Sequence, residues 1–190
     1  MPTTAEILET MRKKGMSEDI IAQFPAANGD APDPIVPFFD QMDELLSEDE
    51  RLDIMQEQGC YKVGEADEMN RAFDRAHAGK SVEERIALLD EKTVHPCVPC
   101  RVNGDGTLTV YWEIGEAGKY QCVCERYHQL KEEQPKLGDI TKTYCGCCGG
   151  HIRYHYQNIL GVKLKLKEIV SSPICSGGVG RCEFLFDIVK

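Results

Sequence analysis

The sequence predicts an α+β fold, with N-terminal helices followed by an antiparallel sheet with an inserted helix, in an α/β plait-like arrangement. Helix-start signals recur in the first half, and apolar residues alternate with a period of two in the second. Charge divides at the same place: residues 1–92 hold 10 basic and 22 acidic side chains, whereas residues 93–190 hold 12 and 10. We therefore expect an acidic helical region, 1–92, and a Cys-rich α+β region, 93–190, packed together as one compact unit.

The helices of the first half are predicted from capping boxes and apolar spacing. In a capping box, a hydroxyl and a glutamate each satisfy one unpaired amide of the first turn. The segments that fit it are Thr3 to Glu6, Ser47 to Glu50 and Ser81 to Glu84. A further helix is predicted over roughly 65–78, where apolar residues recur at helical spacing. Four prolines between 25 and 37 predict a loop there.

The strands are predicted in the second half. Residues 107–114 are rich in β-branched and aromatic side chains and follow the turn signal Asn103-Gly-Asp-Gly106. Residues 115–118 can turn the chain into a second strand over 119–124. Two more strands are expected at 162–167 and 182–188, where apolar side chains alternate. A helix over about 149–160 precedes these two strands, and Gly161 is its expected end.

The composition limits the partners that we expect. The net charge of −10 disfavours binding to nucleic acid or to an anionic membrane, and no run of 18 apolar residues predicts a membrane helix. The N-terminal segment lacks the pattern of a secretory signal, so we expect a cytoplasmic protein with reduced thiols. Ten cysteines in that compartment favour metal or redox chemistry over disulfides. The expected partner is a small molecule, and an exposed edge strand could pair two chains into a homodimer.

Eight of the cysteines are candidate metal ligands. A pair at CxxC spacing lets two thiolates face one tetrahedral ion, and a second pair across a hairpin completes such a site. Cys97/Cys100 and Cys122/Cys124 bracket the predicted hairpin in this way, although the second pair is CxC. Zinc is the expected ion, and an iron–sulfur cluster is the alternative. The candidates, of which a subset is expected to share a site, are Cys97, Cys100, Cys122, Cys124, Cys145, Cys147, Cys175 and Cys182.

The segment Cys145-Gly-Cys-Cys-Gly-Gly-His151 lies at the start of the predicted helix, where unpaired amides and the helix dipole stabilise a thiolate. Its glycines would present backbone amides to an anionic ligand. The candidates for ligand binding are Gly149, Gly150 and His151. The candidates for catalysis, as nucleophiles and bases, are Cys147, Cys148, His151 and His155. A purely structural interpretation treats the cysteines, Cys60 among them, as small apolar core residues.

An ordered series of motifs occupies the C-terminal part of the chain. Tyr144-Cys-x-Cys-Cys-x-Gly-His151 is followed by Leu160-Gly-Val-Lys-Leu-x-Leu-x-Glu168 and by Ser-Pro-Ile-Cys-Ser-Gly-Gly-x-Gly-Arg-Cys182-Glu-Phe184. The series resembles an uncharacterised bacterial and archaeal family with a helical start, a Gly-Cys after a helix (here Gly59-Cys60) and a Cys-rich continuation. It is similar, more distantly, to the 4-vinyl reductase domain of small-molecule sensors and to the family named for 2-amino-thiazoline-4-carboxylate hydrolysis.

The resemblance implies a helix packed on an antiparallel sheet, with C-terminal cysteines that bind zinc beside a ligand pocket. Position by position, Cys182 corresponds to the cysteine of the final strand, and Cys175 to the preceding cysteine. We therefore expect a zinc-binding, small-molecule-binding or sensor-type domain. The alternative is a hydrolase of a small cyclic amide or thiazoline that uses a cysteine nucleophile or a metal-activated water. At this point it stays open whether the protein is an enzyme.

Overall fold

The computed structural model describes residues 2–25, 32–60, 62–133 and 140–189. The helices are α1 (Thr4–Lys13), α2 (Glu18–Ile21), α3 (Ile35–Leu45), α4 (Glu48–Met55), α5 (Glu65–Ala76), α6 (Val82–Ile86), α7 (Glu125–Glu133), α8 (Gly146–Leu160) and α9 (Pro173–Ser176). The strands are β1 (Cys100–Val102), β2 (Thr107–Trp112), β3 (Lys163–Ser171) and β4 (Cys182–Val189), which form an antiparallel sheet in the order β1-β2-β4-β3. The predicted α+β class, with helices before the sheet, is confirmed. Within the described ranges, no helix combines the length and the apolar character needed to cross a bilayer.

The local signals of the first half are confirmed. Thr3, Ser47 and Ser81 each accept the backbone N–H of the glutamate three residues on, and that glutamate accepts the N–H of the cap in return. Helix α5 matches the helix predicted over 65–78. The loop predicted over 25–37 ends sooner than expected, because Pro37 occupies the first turn of α3, where its missing N–H costs no hydrogen bond. Residues 26–31 of that loop lie outside the described ranges.

The inner face of the sheet packs against α8. Leu164 and Leu166 of β3 are buried while the lysines that alternate with them are exposed, as the sequence predicts. Phe184 and Phe186 of β4 are fully buried on the same face. Helix α8 is amphipathic in the expected way, and its apolar stripe is buried. The sheet and this helix together form the wall on which the candidate site is built.

The strand predicted over 119–124 is wrong. Strand β2 pairs with β1 along one edge and with β4 along the other, so neither edge of β2 remains for a hairpin partner. The segment instead runs irregularly past the end of the sheet, where Tyr120 N donates to Gly178 O and Gln121 N donates to Ile114 O, both at 2.8 Å. It leads directly into α7, a helix that the sequence analysis did not predict.

Helix α8 begins three residues earlier than predicted, at Gly146 rather than near Gly149. A 3₁₀ turn at Lys142–Cys145 runs straight into it. Cys147 and Cys148 therefore lie within the first turn of the helix and not in a loop ahead of it.

The glycines of α8 allow a close crossing of two backbones. A Cβ added to Gly150 would overlap the carbonyl oxygen of Gln56, and one added to Gly59 would lie 2.5 Å from the carbonyl carbon of Gly150. The 3₁₀ turn that contains Gln56 therefore touches α8 at backbone distance. This crossing places Cys60, which follows Gly59 in the chain, beside His151 of α8.

Candidate functional site: a cavity lined by thiols

A cavity of about 470 Å³ opens between the start of α7, the start of α8 and the end of β2. We call it the thiol cavity, because its lining includes Cys60, Cys124, Cys147, Cys148, His95 and His151. Trp112 and Ile114 add apolar wall, and Glu125 and Arg126 add one charge of each sign. A second cavity, of about 540 Å³, lies between α1 and the turn at Gln56–Gln58 and shares only Cys60 with the first. Sulfur and imidazole are thus concentrated in the thiol cavity.

Cys124 caps the N-terminus of α7. Its carbonyl oxygen accepts the N–H groups of Tyr127, at 3.1 Å, and His128, at 3.3 Å. Its sulfur accepts from the Cys148 thiol and from the Tyr127 N–H, and lies 3.8 Å from the Tyr144 hydroxyl. These donors, the Cys148 thiol above all, lower the pKa of Cys124 to about 6, although burial opposes the shift. These contacts therefore favour the thiolate form of Cys124.

Cys148 takes the donor role in this pair. Its hydrogen bond to Cys124 raises its pKa well above the usual range, and a contact with Cys147 and burial add to the effect. The sequence analysis expected the thiolate at the start of α8, on Cys147 or Cys148. The structure gives the role to Cys124, at the start of the neighbouring helix, because Cys124 collects the donors.

Two further thiol pairs lie in the same region. Cys122 donates to Cys182, a contact that raises the pKa of Cys122 and lowers that of Cys182. Cys145 lies against Cys175, and this contact, followed by burial, raises the pKa of Cys145. Every cysteine of the chain is a thiol in this structure. The sulfurs therefore meet in pairs drawn from segments that are distant in sequence.

His151 is held by the backbone beside Cys60. Its Nδ1 donates to the Cys60 carbonyl oxygen at 2.7 Å and lies 3.8 Å from the Cys60 sulfur. Burial lowers the pKa of His151 and raises the pKa of Cys60. Both groups are consequently neutral near pH 7, so this contact is not a thiolate–imidazolium pair of the kind that activates a nucleophile. The His151 ring stacks at 6.1 Å on Trp112, which makes a flat aromatic wall.

His155 lies behind His151 and is fully buried, with the two ring centroids 4.5 Å apart. Asn70 fixes it: the Asn70 Oδ1 accepts the His95 N–H at 2.8 Å, so its Nδ2 is the atom that donates to His155 Nδ1 at 2.9 Å. His155 therefore accepts at Nδ1. It supports the position of His151 and of the His95 segment, and it does not contact the cavity itself.

The predicted four-sulfur site is not formed. Cys97 and Cys100 lie near Tyr156, away from the other thiols, and burial raises the pKa of Cys100 to about 12. Cys122 and Cys124 instead face Cys182 and Cys148. Over the part of the chain that the structure describes, no group of three or more Cys, His, Asp or Glu side chains is arranged to hold a metal ion. Zinc binding and an iron–sulfur cluster stay predictions.

Gly149 and Gly150 were expected to present amides to a ligand, and the structure gives them another role. Both are buried, and a Cβ on Gly149 would lie 2.8 Å from Leu166. As the fourth and fifth residues of α8, they lie inside the helix and face its packing partners. Of the three predicted ligand contacts, His151 is the one that lines the cavity.

Three residues of the site were missed or assigned another role. Cys60 was interpreted as core and Trp112 was placed only in a predicted strand, and both line the cavity. Cys124 was interpreted as half of a metal-binding pair. The run Glu125 to Glu133 is rich in helix formers and directly follows Cys124, which is the signal that could have identified the cysteine as a helix cap.

Comparison of the chain with protein-family models, with curated proteins and with solved structures gives no match. The assignment of the fold class therefore rests on the structure itself. The resemblance described from the motifs stays a prediction.

Proposed function

We propose that this protein binds a small molecule in the thiol cavity and holds it against the sulfur of Cys124. The observation that carries the proposal is a cavity of about 470 Å³ with Cys124, a cysteine of lowered pKa, in its wall. That volume is in the range of pockets for small ligands, which span roughly 300–1,000 Å³. The sensor-type function that the resemblance implies also requires a pocket for a small ligand.

The lining favours a ligand with a flat or apolar part and one polar end. Trp112 and His151 offer ring faces, and Ile114 and Val123 offer aliphatic contact. Glu125 and Arg126, at the start of α7, add one charge of each sign to the lining, and Arg126 is paired with Glu133 at 3.0 Å. A mostly apolar surface with few polar groups is typical of sites that fix the orientation of a ligand.

A hydrolase with a cysteine nucleophile is the second candidate. It is favoured because a thiolate, Cys124, and an imidazole, His151, line the same cavity. Neither candidate depends on zinc, and the zinc site stays a prediction, since no metal-binding group is found over the described residues. If the protein is a hydrolase, it should release a burst of nitrophenol from an activated ester such as para-nitrophenyl acetate. Cys124→Ser should abolish this burst, and His151→Gln should slow it.

Binding can be tested with the fluorescent dye anilinonaphthalene sulfonate and two matched variants. Ile114 lies in the cavity wall and is 44% exposed, whereas Val170 lies on β3, away from the cavity, and is 45% exposed. Ile114→Glu places an unpaired carboxylate in the wall, and we expect it to weaken dye binding by about tenfold or more. Val170→Glu adds the same charge elsewhere and should leave the affinity unchanged. Equal effects of the two variants, or no saturable dye binding by the natural chain, would contradict the proposal.

A further inference from the structure

The pair Cys124–Cys148 combines three features that binding alone does not require. Cys124 lies at the start of α7, Cys148 is a second cysteine in contact with it, and both line one cavity. These are the parts of a dithiol that exchanges with a bound disulfide: an attacking sulfur, a resolving sulfur and access for the substrate.

The remaining thiol pairs lack at least one of these parts. Cys182 and Cys145 are buried, and neither of their pairs is among the described residues that line the cavity. Cys97 is exposed, but its CxxC partner Cys100 is half-buried beside Tyr156, and burial outweighs the hydrogen bond with Tyr156 and raises the pKa of Cys100 to about 12. The chain thus offers Cys97/Cys100 as an internal comparison for Cys124/Cys148.

We propose that Cys124 and Cys148 form a dithiol–disulfide couple that reduces a low-molecular-weight disulfide bound in the thiol cavity. The inference rests on the proposed function, because the disulfide must first enter the cavity. Its substrate class is a small molecule of the form R–S–S–R that fits within about 470 Å³. Arg126 and the Trp112 ring would contact the R groups on either side of the sulfurs.

The exchange balances without a cofactor. The Cys124 thiolate attacks one substrate sulfur, so that a Cys124–S–S–R bond forms, the substrate S–S bond breaks and RS⁻ leaves. Cys148 then gives its proton to that RS⁻, and its sulfur attacks the Cys124 sulfur of the mixed disulfide. The Cys124–Cys148 disulfide forms and the second RS⁻ leaves. Two electrons pass from the protein to the substrate, and an external dithiol restores the pair by the same exchange in reverse.

Cys148 is assigned as the resolving thiol instead of its neighbour Cys147. Cys148 is the residue whose thiol touches Cys124. A disulfide between Cys147 and Cys148 would need a distorted peptide bond, which the first turn of α8 does not provide. Cys147 lines the cavity as well, and it is left as a thiol in both states of the couple.

To test this, the full chain is incubated with hydroxyethyl disulfide as the oxidant, in the presence of a metal chelator. The products are identified by intact-mass and peptide mass spectrometry. We expect the natural chain to lose two hydrogen atoms and to carry a Cys124–Cys148 link. Cys148→Ser should stop at one hydroxyethylthio group on Cys124, and Cys97→Ser, the control, should still form the link.

The outcomes separate this inference from the proposed function. A linked Cys124–Cys148 pair, with a mixed disulfide trapped at Cys124 in the Cys148→Ser variant, supports the couple. If no such link forms, or if Cys124 joins another cysteine, while the dye still binds and Ile114→Glu still weakens it, the inference is overturned and the binding function stands. If the dye also fails to bind, both are overturned. Because the link is sought in the natural chain, the test does not depend on the folding of a variant.

Discussion

Contacts with neighbours, more than position in a motif, set the chemistry of single residues in this protein. The CxC spacing of Cys122 and Cys124 predicts a metal pair, yet the two sulfurs turn to different partners. The sequence makes His151 and His155 candidate catalytic residues, and both are buried, since the Cys60 and Asn70 segments lie against them. Residue types could therefore be selected from the sequence, but their roles depend on contacts between distant segments.

Alkylation of Cys124 by iodoacetamide should follow its lowered pKa. The usual thiol value is 9.0 and the structure lowers it to about 6, so the thiolate is present above that pH and is lost as the pH falls through it. We expect half of the limiting rate near pH 6, measured by peptide mass spectrometry in buffers from acidic to weakly alkaline. The groups that face the sulfur are the Cys148 thiol, the Tyr144 hydroxyl and the Tyr127 N–H. Cys148→Ala removes the largest donor and should raise the midpoint by about one unit, since a hydrogen bond to a charged acceptor contributes about 1.5 kcal/mol.

The profile has a control within the chain. Cys97 is exposed, and burial together with the nearby Asp90 and Glu91 carboxylates raises its pKa. Its alkylation should therefore have a midpoint above 9.0. A common midpoint for Cys97 and Cys124 would contradict the activation of Cys124.

At the scale of elements, helix caps and the alternation within strands could be predicted from the sequence, whereas the pairing of strands could not. The capping boxes at Thr3, Ser47 and Ser81 work through residues three positions apart, so they are readable without the fold. The alternation in β3 and β4 is equally local. The segment 119–124 contains Tyr120 and Val123, which favour strands, but the edges of β2 are taken by β1 and β4, and that competition cannot be read from the segment itself.

The crossing of α8 by the turn at Gln56–Gln58 should be intolerant of a side chain. In Gly150→Ala, the added Cβ would meet the Gln56 carbonyl, which is backbone and cannot rotate away. We expect a loss of about 3 kcal/mol in the free energy of unfolding, at the upper end of the cost of overpacking, measured by urea denaturation. Gly104→Ala is the control, because nothing lies within 4 Å of a Cβ there, and it should change stability by less than about 1 kcal/mol. A Gly150→Ala protein as stable as Gly104→Ala would show that the two backbones are not in contact.

At the scale of the whole molecule, the thiol cavity is assembled from both regions of the chain. Cys60 comes from the acidic helical region, and Cys124, Cys148 and His151 come from the Cys-rich region. The charge and cysteine counts that divide the sequence at residue 92 could locate most of the sulfurs, but they could not show that the first region supplies part of the wall. That requires knowledge of which helices cover α8.

The two regions should accordingly be inseparable in folding. Residues 1–92 contact helix α8 at several points; for example, Gly150 meets Gln56, His155 accepts from Asn70, and the Ile159 carbonyl accepts from Arg85 at 3.1 Å. A fragment of residues 93–190 would leave buried polar groups unpaired and the apolar covering of α8 absent. We expect this fragment to lack a cooperative urea transition by circular dichroism and to bind the dye without saturation, and co-expression with a fragment of residues 1–92 should restore both properties. A fragment 93–190 that unfolds cooperatively at the urea midpoint of the full chain would show instead that the Cys-rich region is an independent domain and that Cys60 is dispensable to its cavity.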